Sequence, residues 1–347
     1  MAVLTDFLLL AAKVSGYIVY ALLQWVKKPT EKSIRNEICL ITGAASPAGL
    51  GKLLALEFAQ RGATLVLWDT DTEGNEKVAR EVRNLGAKTY TYTCDVSRRE
   101  EVYSMADDVR KDVGDVTILV NNAGVVPGKP FLQDSDEALE RTMRMNCHAH
   151  FWTVKAFLPQ MIKQNHGHIV TIAGSFGLFA TGCLEGYCAS KFAVVGFHEA
   201  LSHELKAKRI SDVKTTLVCP YFTDGDVFHD CRTRKEPKTL LSPLNPDCFV
   251  KTVMQGILQN QHMLCVPRGM YLAAILKNFL PWDAQVIIQK LLGMDKQKQH
   301  LLNEAFSLST HTWHTRVTCL WLLNCRWKFS SRLVFTDRLV RICVKQP

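Results

Sequence analysis

From Glu37 to about Lys296 the chain alternates short apolar runs with longer amphipathic stretches. The runs fall at 38–41 (ICLI), 64–68 (TLVLW), 89–94 (TYTYTC), 117–121 (TILVN), 168–173 (HIVTIA) and 213–219 (VKTTLVC). Between them, stretches such as Glu73 to Leu85 and Glu100 to Val113 carry the polar-apolar periodicity of helices. Strand-length runs that are apolar on both faces, separated by helices, predict βαβ units around a parallel sheet covered on both sides. The expected fold class is therefore α/β, a single doubly wound parallel sheet of the Rossmann type.

Two later pieces break the rhythm. Residues 222–246 are polar and carry three prolines, as a long loop beyond a strand end would. Residues 270–293 are strongly apolar with a break at Pro281, which predicts a helix pair packed on the core or laid on a membrane. From about residue 299 the tail shows no turn grammar and no clean period.

The N-terminus is a different material. Phe7 to Val26 is a twenty-residue apolar stretch followed at once by Lys27-Lys28, and a helix of that length covers about 30 Å, the thickness of a bilayer core. A cleavable signal peptide is the rival, but no basic residue precedes the run and no small-x-small site closes it. Lys13 inside the run argues against a deep span unless its amine reaches an interface. We expect residues 1–28 to anchor the chain in a membrane, with the lysines on the cytosolic side, 29–36 to be a linker, 37–298 to form the catalytic domain and 299–347 to be a tail without an assigned fold.

Charge adds little. The net charge is +9, but from residue 301 onward seven Lys/Arg stand against two Asp/Glu, so the body is only mildly basic and nothing resembles a nucleic-acid-binding stripe. The twelve cysteines form no C-x-x-C pair, which excludes a zinc framework or disulfide scaffold and fits a reducing compartment. His198-Glu199 with His203 is H-E-x-x-x-H, whose five-residue step does not bring two imidazoles onto one helix face, so it reads as surface or core histidine. His311, His314, Cys319 and Cys325 match no metal-binding spacing, and no metal site is expected.

The chemistry-bearing residues sit at strand ends. Thr42-Gly43, then Gly49-Leu50-Gly51, form a glycine turn between the first strand and a helix, which aims amide hydrogens and a positive helix end at phosphate. Five residues separate Gly43 from Gly49. Asp69 ends the second run about twenty residues on, where a carboxylate accepts hydrogen bonds from ribose hydroxyls; as a turn residue in WDTD it would do nothing of the kind. Tyr187 and Lys191 are four apart, one helical turn from each other, and a nearby ammonium favours the phenolate of a tyrosine whose ordinary pKa of about 10 makes it a poor base at neutral pH.

In their order and positions, the Thr42-Gly43/Gly49-Leu50-Gly51 turn, Asp95 in CDV, Asn121-Asn122-Ala123-Gly124 and Tyr187-Cys-Ala-Ser-Lys191 resemble the short-chain dehydrogenase/reductase family, over about residues 37–298. The N-terminal anchor and the stretches YCASKFAVVGFHEALSHEL and LVCPYF resemble, more narrowly, the membrane-bound 16C subfamily of epidermal retinol dehydrogenases and their 17β-hydroxysteroid dehydrogenase relatives. The resemblance implies that Gly43, Gly49, Leu50 and Gly51 bind the pyrophosphate of a nicotinamide dinucleotide. It carries Asp69, Asp95, Asn122 and Gly124 over as cofactor-binding too, with NAD favoured over NADP because a 2′-phosphate would face the Asp69 charge. Tyr187 becomes the general acid/base, Lys191 a ribose ligand and partner of the phenol, and Asn146 the holder of a relay water, unless it is a buried amide capping a helix turn.

The chain departs from the family pattern twice. The glycine loop is two residues longer than usual and is expected to bulge over the surplus pair, which includes Pro47. The family's catalytic serine, thirteen residues before the tyrosine, is Gly174 here; Ser175 follows, and serves only if the strand has ended and its side chain turns inward. The implied function is oxidation of a lipophilic alcohol, retinol first and a hydroxysteroid second, at the cytosolic face of the endoplasmic reticulum or a lipid droplet, with membrane lipid and a second subunit as partners. The alternative is a degenerate family member that binds at a membrane without turnover.

Overall fold

The computed structural model describes residues 2–26, 30–47, 49–126, 131–182, 184–221 and 246–291. Seven strands form one parallel sheet in the order β3-β2-β1-β4-β5-β6-β7: β1 (Ile38–Thr42), β2 (Thr64–Asp69), β3 (Thr89–Thr93), β4 (Ile118–Asn121), β5 (Gly167–Ile172), β6 (Val213–Pro220) and β7 (Met263–Val266). The central strands are buried along their whole length, β4 and β5 without a break. That is the pattern of a sheet covered on both faces. β3, at the edge, instead has a single buried position, Thr89.

Helices α2 (Leu50–Gln60), α3 (Thr72–Asn84) and α8 (Pro246–Leu258) cover one face, around Phe58, Leu54 and Ile257. On the other face α4 (Arg99–Asp112), α6 (Ala149–Gln164) and α7 (Glu185–Ala207) pack on Trp68, Leu119 and Ile169, and α5 (Asp136–Met143) packs against α7. A π-helical turn, Arg144–His148, joins α5 to α6. The chain winds outward from β1 to β3 on one side and to β7 on the other, so a crevice opens at the C-terminal ends of β1 and β4, where α/β sheets hold ligands.

All six strands read from the sequence are present within a residue or two, and β7 is an addition. Its four residues, MLCV, sit beside a histidine and a glutamine-rich turn and carry too little apolar length to stand out. The expected break at Pro281 separates α9 (Gly269–Lys277) from α10 (Trp282–Leu291). Residues 30–36 are more than a linker: Ile34 is buried in the core, the Lys32 amide donates to Leu258 O, and Lys32 Nζ lies 2.7 Å from His168 Nδ1 under β5. Burial lowers the pKa of Lys32 to about 8.

The expected membrane span is corrected in one respect. Residues Ala2–Val26 do form a helix, α1, but among the described residues no helix is long and apolar enough to cross a membrane. Asp6, Lys13 and Ser15 interrupt the apolar surface of α1, and charge at mid-helix opposes a span. Lys27 and Lys28, the loop of 222–245 and the tail with its histidines and cysteines lie outside the described residues.

Candidate active site

The cleft at the switch point is lined by Gly43, Ser46, Gly49, Leu50, Asp69, Asn122, Ala123, Gly124, Val126, Ile172 to Phe176, Tyr187, Lys191, Pro220 and Tyr221. Each follows the end of a strand or opens a helix, because a parallel sheet gathers all its C-terminal strand ends along one edge.

The glycine turn is built by close backbone approach. Gly43 has φ +68°, and a Cβ there would stand 2.8 Å from Ala123 Cα. A Cβ on Gly51 would stand 2.3 Å from Gly43 O, so only glycine lets α2 start so near β1. The Gly49 amide donates to Ser46 O at 3.0 Å, and α2 begins at the next residue. Ala48, within the surplus stretch expected to bulge, lies outside the described residues, while the flanks on either side are described. Thr42 and Asn122 lock them: Thr42 Oγ1 accepts from the amides of Asn122 and Ala123, while Asn122 Nδ2 donates to Thr42 O and Gly43 O, each at 3.0 Å.

Asp69 closes the far side. Its Oδ2 accepts from the Ala45 amide at 2.9 Å and its Oδ1 from the Asp71 amide, so the carboxylate both steadies the glycine loop and faces the cleft. Each oxygen retains a lone pair for a further donor. Gly51, Asp95 and Asn146 do not line the cleft. Gly51 spaces α2 from the loop, and Asp95 Oδ1 accepts from Ser97 N and Oγ in the turn before α4. Asn146 is fully buried in the π-turn, its amide bonded to Val125 N and O and to Ser190 Oγ. It therefore fastens the segment after Gly124 to α7.

Tyr187 and Lys191 sit one turn apart on α7, both buried to within a few per cent of full enclosure. Lys191 Nζ donates to Ile172 O at 3.3 Å and stands 5.6 Å from the Tyr187 ring centroid. Burial lowers the pKa of Lys191 to about 8, leaving it mostly cationic at neutral pH. β5 ends at Ile172, so the strand alternation that would turn Ser175 away no longer applies. Ser175 opens a 3-10 turn over Ser175–Gly177 and lines the cleft beside Tyr187. Gly174 has φ +84° and ψ 166°.

Lining residues not expected from the sequence are Ser46, Ala123, Val126, Ile172, Ala173, Phe176, Pro220 and Tyr221. They lie within a few residues of expected positions or at the end of β6 in the LVCPYF stretch, so their signal is proximity to a strand end, not residue type.

The short chain dehydrogenase family model matches residues 37–236, the span that contains every element of this cleft. The chain is a short-chain dehydrogenase/reductase. Retinol dehydrogenase 10 of Rattus norvegicus and of Homo sapiens are each 50% identical over 321 residues, covering 85% of this chain and 94% of the relative. Among solved structures, a short-chain dehydrogenase/reductase from Burkholderia phymatum in complex with NAD superposes with TM-score 0.63 at 25% identity, covering 71% of this chain and 94% of that one. A metagenomic short-chain oxidoreductase in complex with NADP gives 0.56 at 26% identity, covering 68% and 98%. The dehydrogenase is thus an oxidoreductase for a nicotinamide cofactor, and a cleft lined by Gly43, Gly49, Asp69, Asn122 and Gly124 at the strand ends fits such a group.

Proposed function

We propose that this dehydrogenase oxidises retinol, or a closely similar lipophilic alcohol, to its aldehyde with NAD at a membrane surface. The observation that carries the reading is the convergence of Ser175, Tyr187 and Lys191 beside an intact glycine turn, in a chain half identical to retinol dehydrogenases. A 17β-hydroxysteroid is the second substrate.

Gly43, Gly49, Leu50 and the amides at the start of α2 would hold the cofactor's pyrophosphate, Asp69 its adenosine ribose, and Asn122, Gly124 and Lys191 the nicotinamide half. When bound, a nicotinamide dinucleotide supplies the acceptor for the carbinol hydrogen. Everything else falls to the protein. Ser175 Oγ hydrogen-bonds the substrate oxygen, Tyr187 Oη takes its proton, and the Lys191 ammonium stabilises the phenolate that precedes the transfer. Asn146 acts by holding the 124–126 segment in position. NAD is preferred to NADP because a 2′-phosphate would meet Asp69 and, two residues on, Asp71.

Membrane association is supported by exposed apolar side chains on two elements. On α1, Phe7, Leu8, Leu9 and Leu10 are exposed, and at the α9–α10 junction Phe279 and Trp282 are 81% and 73% exposed. Helices of this kind lie in the interface plane without spanning it, and the endoplasmic reticulum or a lipid droplet is the proposed site. Pairing of subunits through α6 and α7 is supported by an apolar hollow that includes Phe151, Trp152, Leu158, Ile162 and Phe197.

The test is direct. Membranes carrying the enzyme, given NAD and all-trans-retinol, form retinal, and a Tyr187→Phe control does not. Equal retinal formation by the two sinks the reading.

A further inference from the structure

At the end of the sheet opposite the cleft, where α7 stops and β6 and β7 begin, lies a basic hollow of about 650 Å³ that the reaction does not use. Lys206, Arg209, Lys214 and His262 line it, and no carboxylate does among the described residues. Basic side chains near a helix C-terminus ordinarily offset its dipole, and Lys206 in the last turn of α7 is so placed. Lys214 on β6 and His262 before β7 come from other elements, so the dipole does not account for their convergence. Asp212 stands 3.5 Å from Lys214, and Glu204 is paired with Lys208. Lys206 and Arg209 are left exposed and without an acidic partner among the described residues. Arg209 is moreover held at φ +57°, a left-handed conformation that glycine or asparagine ordinarily takes at a helix end.

The hollow shares a flank of the molecule with apolar surface. β7 is the last strand of the sheet; His262 precedes it and α9 follows it. Tyr271 Oη on α9 donates to Met263 O at 2.7 Å, which ties the start of α9 back to the start of the strand. Leu272 and Ile275 of α9 are exposed. The basic hollow and the apolar helix therefore border one edge strand about 13 Å long.

The chain also reaches this end of the sheet directly from α1. Lys32 follows Val26 by six positions, at most about 22 Å of extended chain, and its Nζ lies 2.7 Å from His168 Nδ1. His168 is the register partner of Lys214. Burial first, and the Lys214 charge after it, lower the pKa of Lys32, so cations crowd here. Lys27 and Lys28 stand in the same connection in sequence.

We propose that the hollow binds the phosphate of an anionic membrane lipid and so seats the β7 edge on the bilayer surface beside α1. The inference rests on the membrane association argued above, and adds the lipid class and the residues that recognise it. Lys/Arg clusters next to a membrane-bound helix attract anionic headgroups, each cation strengthening binding about fivefold. The Arg209 guanidinium suits two phosphate oxygens at once, and Lys206 and Lys214 supply point charges. Leu205, Ile210 and Val213, which also line the hollow, suit the glycerol and first methylenes of a lipid, which a free phosphate ester lacks.

The experiment is vesicle flotation of the full-length protein after detergent removal. Vesicles are of phosphatidylcholine alone or with a fifth of phosphatidic acid, at about 0.1 M and about 1 M salt. The variants are Lys206→Gln with Arg209→Gln and, as a control, Lys77→Gln with Arg80→Gln, which removes the same charge from exposed positions of α3 beside β3. The expected result is stronger partitioning of wild type into the phosphatidic acid vesicles at low salt. That gain falls about 20-fold in the first double variant, is kept in the control, disappears at high salt, and survives millimolar glycerol 3-phosphate. Thermal unfolding checks that both variants are folded. Equal binding of wild type to the two vesicles, a loss in the first variant no greater than in the control, or displacement by glycerol 3-phosphate overturns the lipid site alone. Wild type that floats with neither vesicle overturns the membrane association and the site with it. Flotation does not depend on turnover, so failure of the retinol assignment leaves the site standing.

Discussion

Gly174 stands against Tyr187 with room but without the right backbone: a Cβ on Gly174 would lie 4.0 Å from Tyr187 Oη, yet the residue has φ +84° and ψ 166°. Space for a hydroxyl exists there. The conformation belongs to the region that residues with a side chain avoid, at a cost of about 1–3 kcal/mol. Gly174→Ser is therefore expected to lower the unfolding free energy by about that amount, measured by urea denaturation, without a gain in kcat.

The polarising hydroxyl then falls to Ser175, which lines the same wall. Ser175→Ala is expected to reduce kcat by about 10²–10³ with little change in KM, the usual loss for one such donor. A reduction below about threefold would relieve Ser175 of the role.

Asp69 is bonded to the Ala45 amide of the glycine loop and faces the cleft. Asp69→Asn removes the charge and keeps the shape. Calorimetric titration should show NAD bound about 10–100-fold more weakly, the range for one charge-assisted hydrogen bond, and NADP bound no worse. Equal weakening of both dinucleotides would reduce Asp69 to a brace of the loop.

Acid sensitivity follows from the buried imidazoles. His150 and His198 are lowered from 6.5 to about 3 by burial. His168 is pushed well below 6.5 by burial too. The unfolded chain therefore binds about three more protons than the folded one below pH 6.5, and stability is lost as pH falls through that window. The slope is about 4 kcal/mol per pH unit. Unfolding free energy measured from pH 7 to pH 4 should fall accordingly, and His198→Leu should lower the slope by about a third. A variant slope equal to that of wild type contradicts the neutral assignment.

Asn122 ties the glycine loop to β4 through the carbonyls of Thr42 and Gly43. Asn122→Ala should cost about 1–3 kcal/mol and weaken dinucleotide binding, with the stability loss visible in the absence of cofactor. Unchanged binding would mean that α2 and Gly43 fix the loop by packing alone.

Much of this was local and therefore legible in the chain. Runs such as TLVLW and HIVTIA declare buried parallel strands because no polar position interrupts them, and Tyr187 and Lys191 share a face because a helix repeats near four residues. Asp69 and Asn122 could be named because each ends a strand, where the cleft must form. The tertiary structure decided what depends on approach between distant segments. Whether Ser175 reaches the cleft turned on where β5 stops, and whether the longer loop survives turned on the Ser46–Gly49 bond and the lock at Asn122. The buried polar group of Asn121, His150 and His198 has no sequence signature at all, since its members come from β4, α6 and α7 and are buried together only when the helices close over the sheet. Periodicity and backbone stereochemistry act between near neighbours, so sequence alone carries them. Burial and hydrogen-bond satisfaction are settled by which surfaces are brought together, and that is a property of the fold.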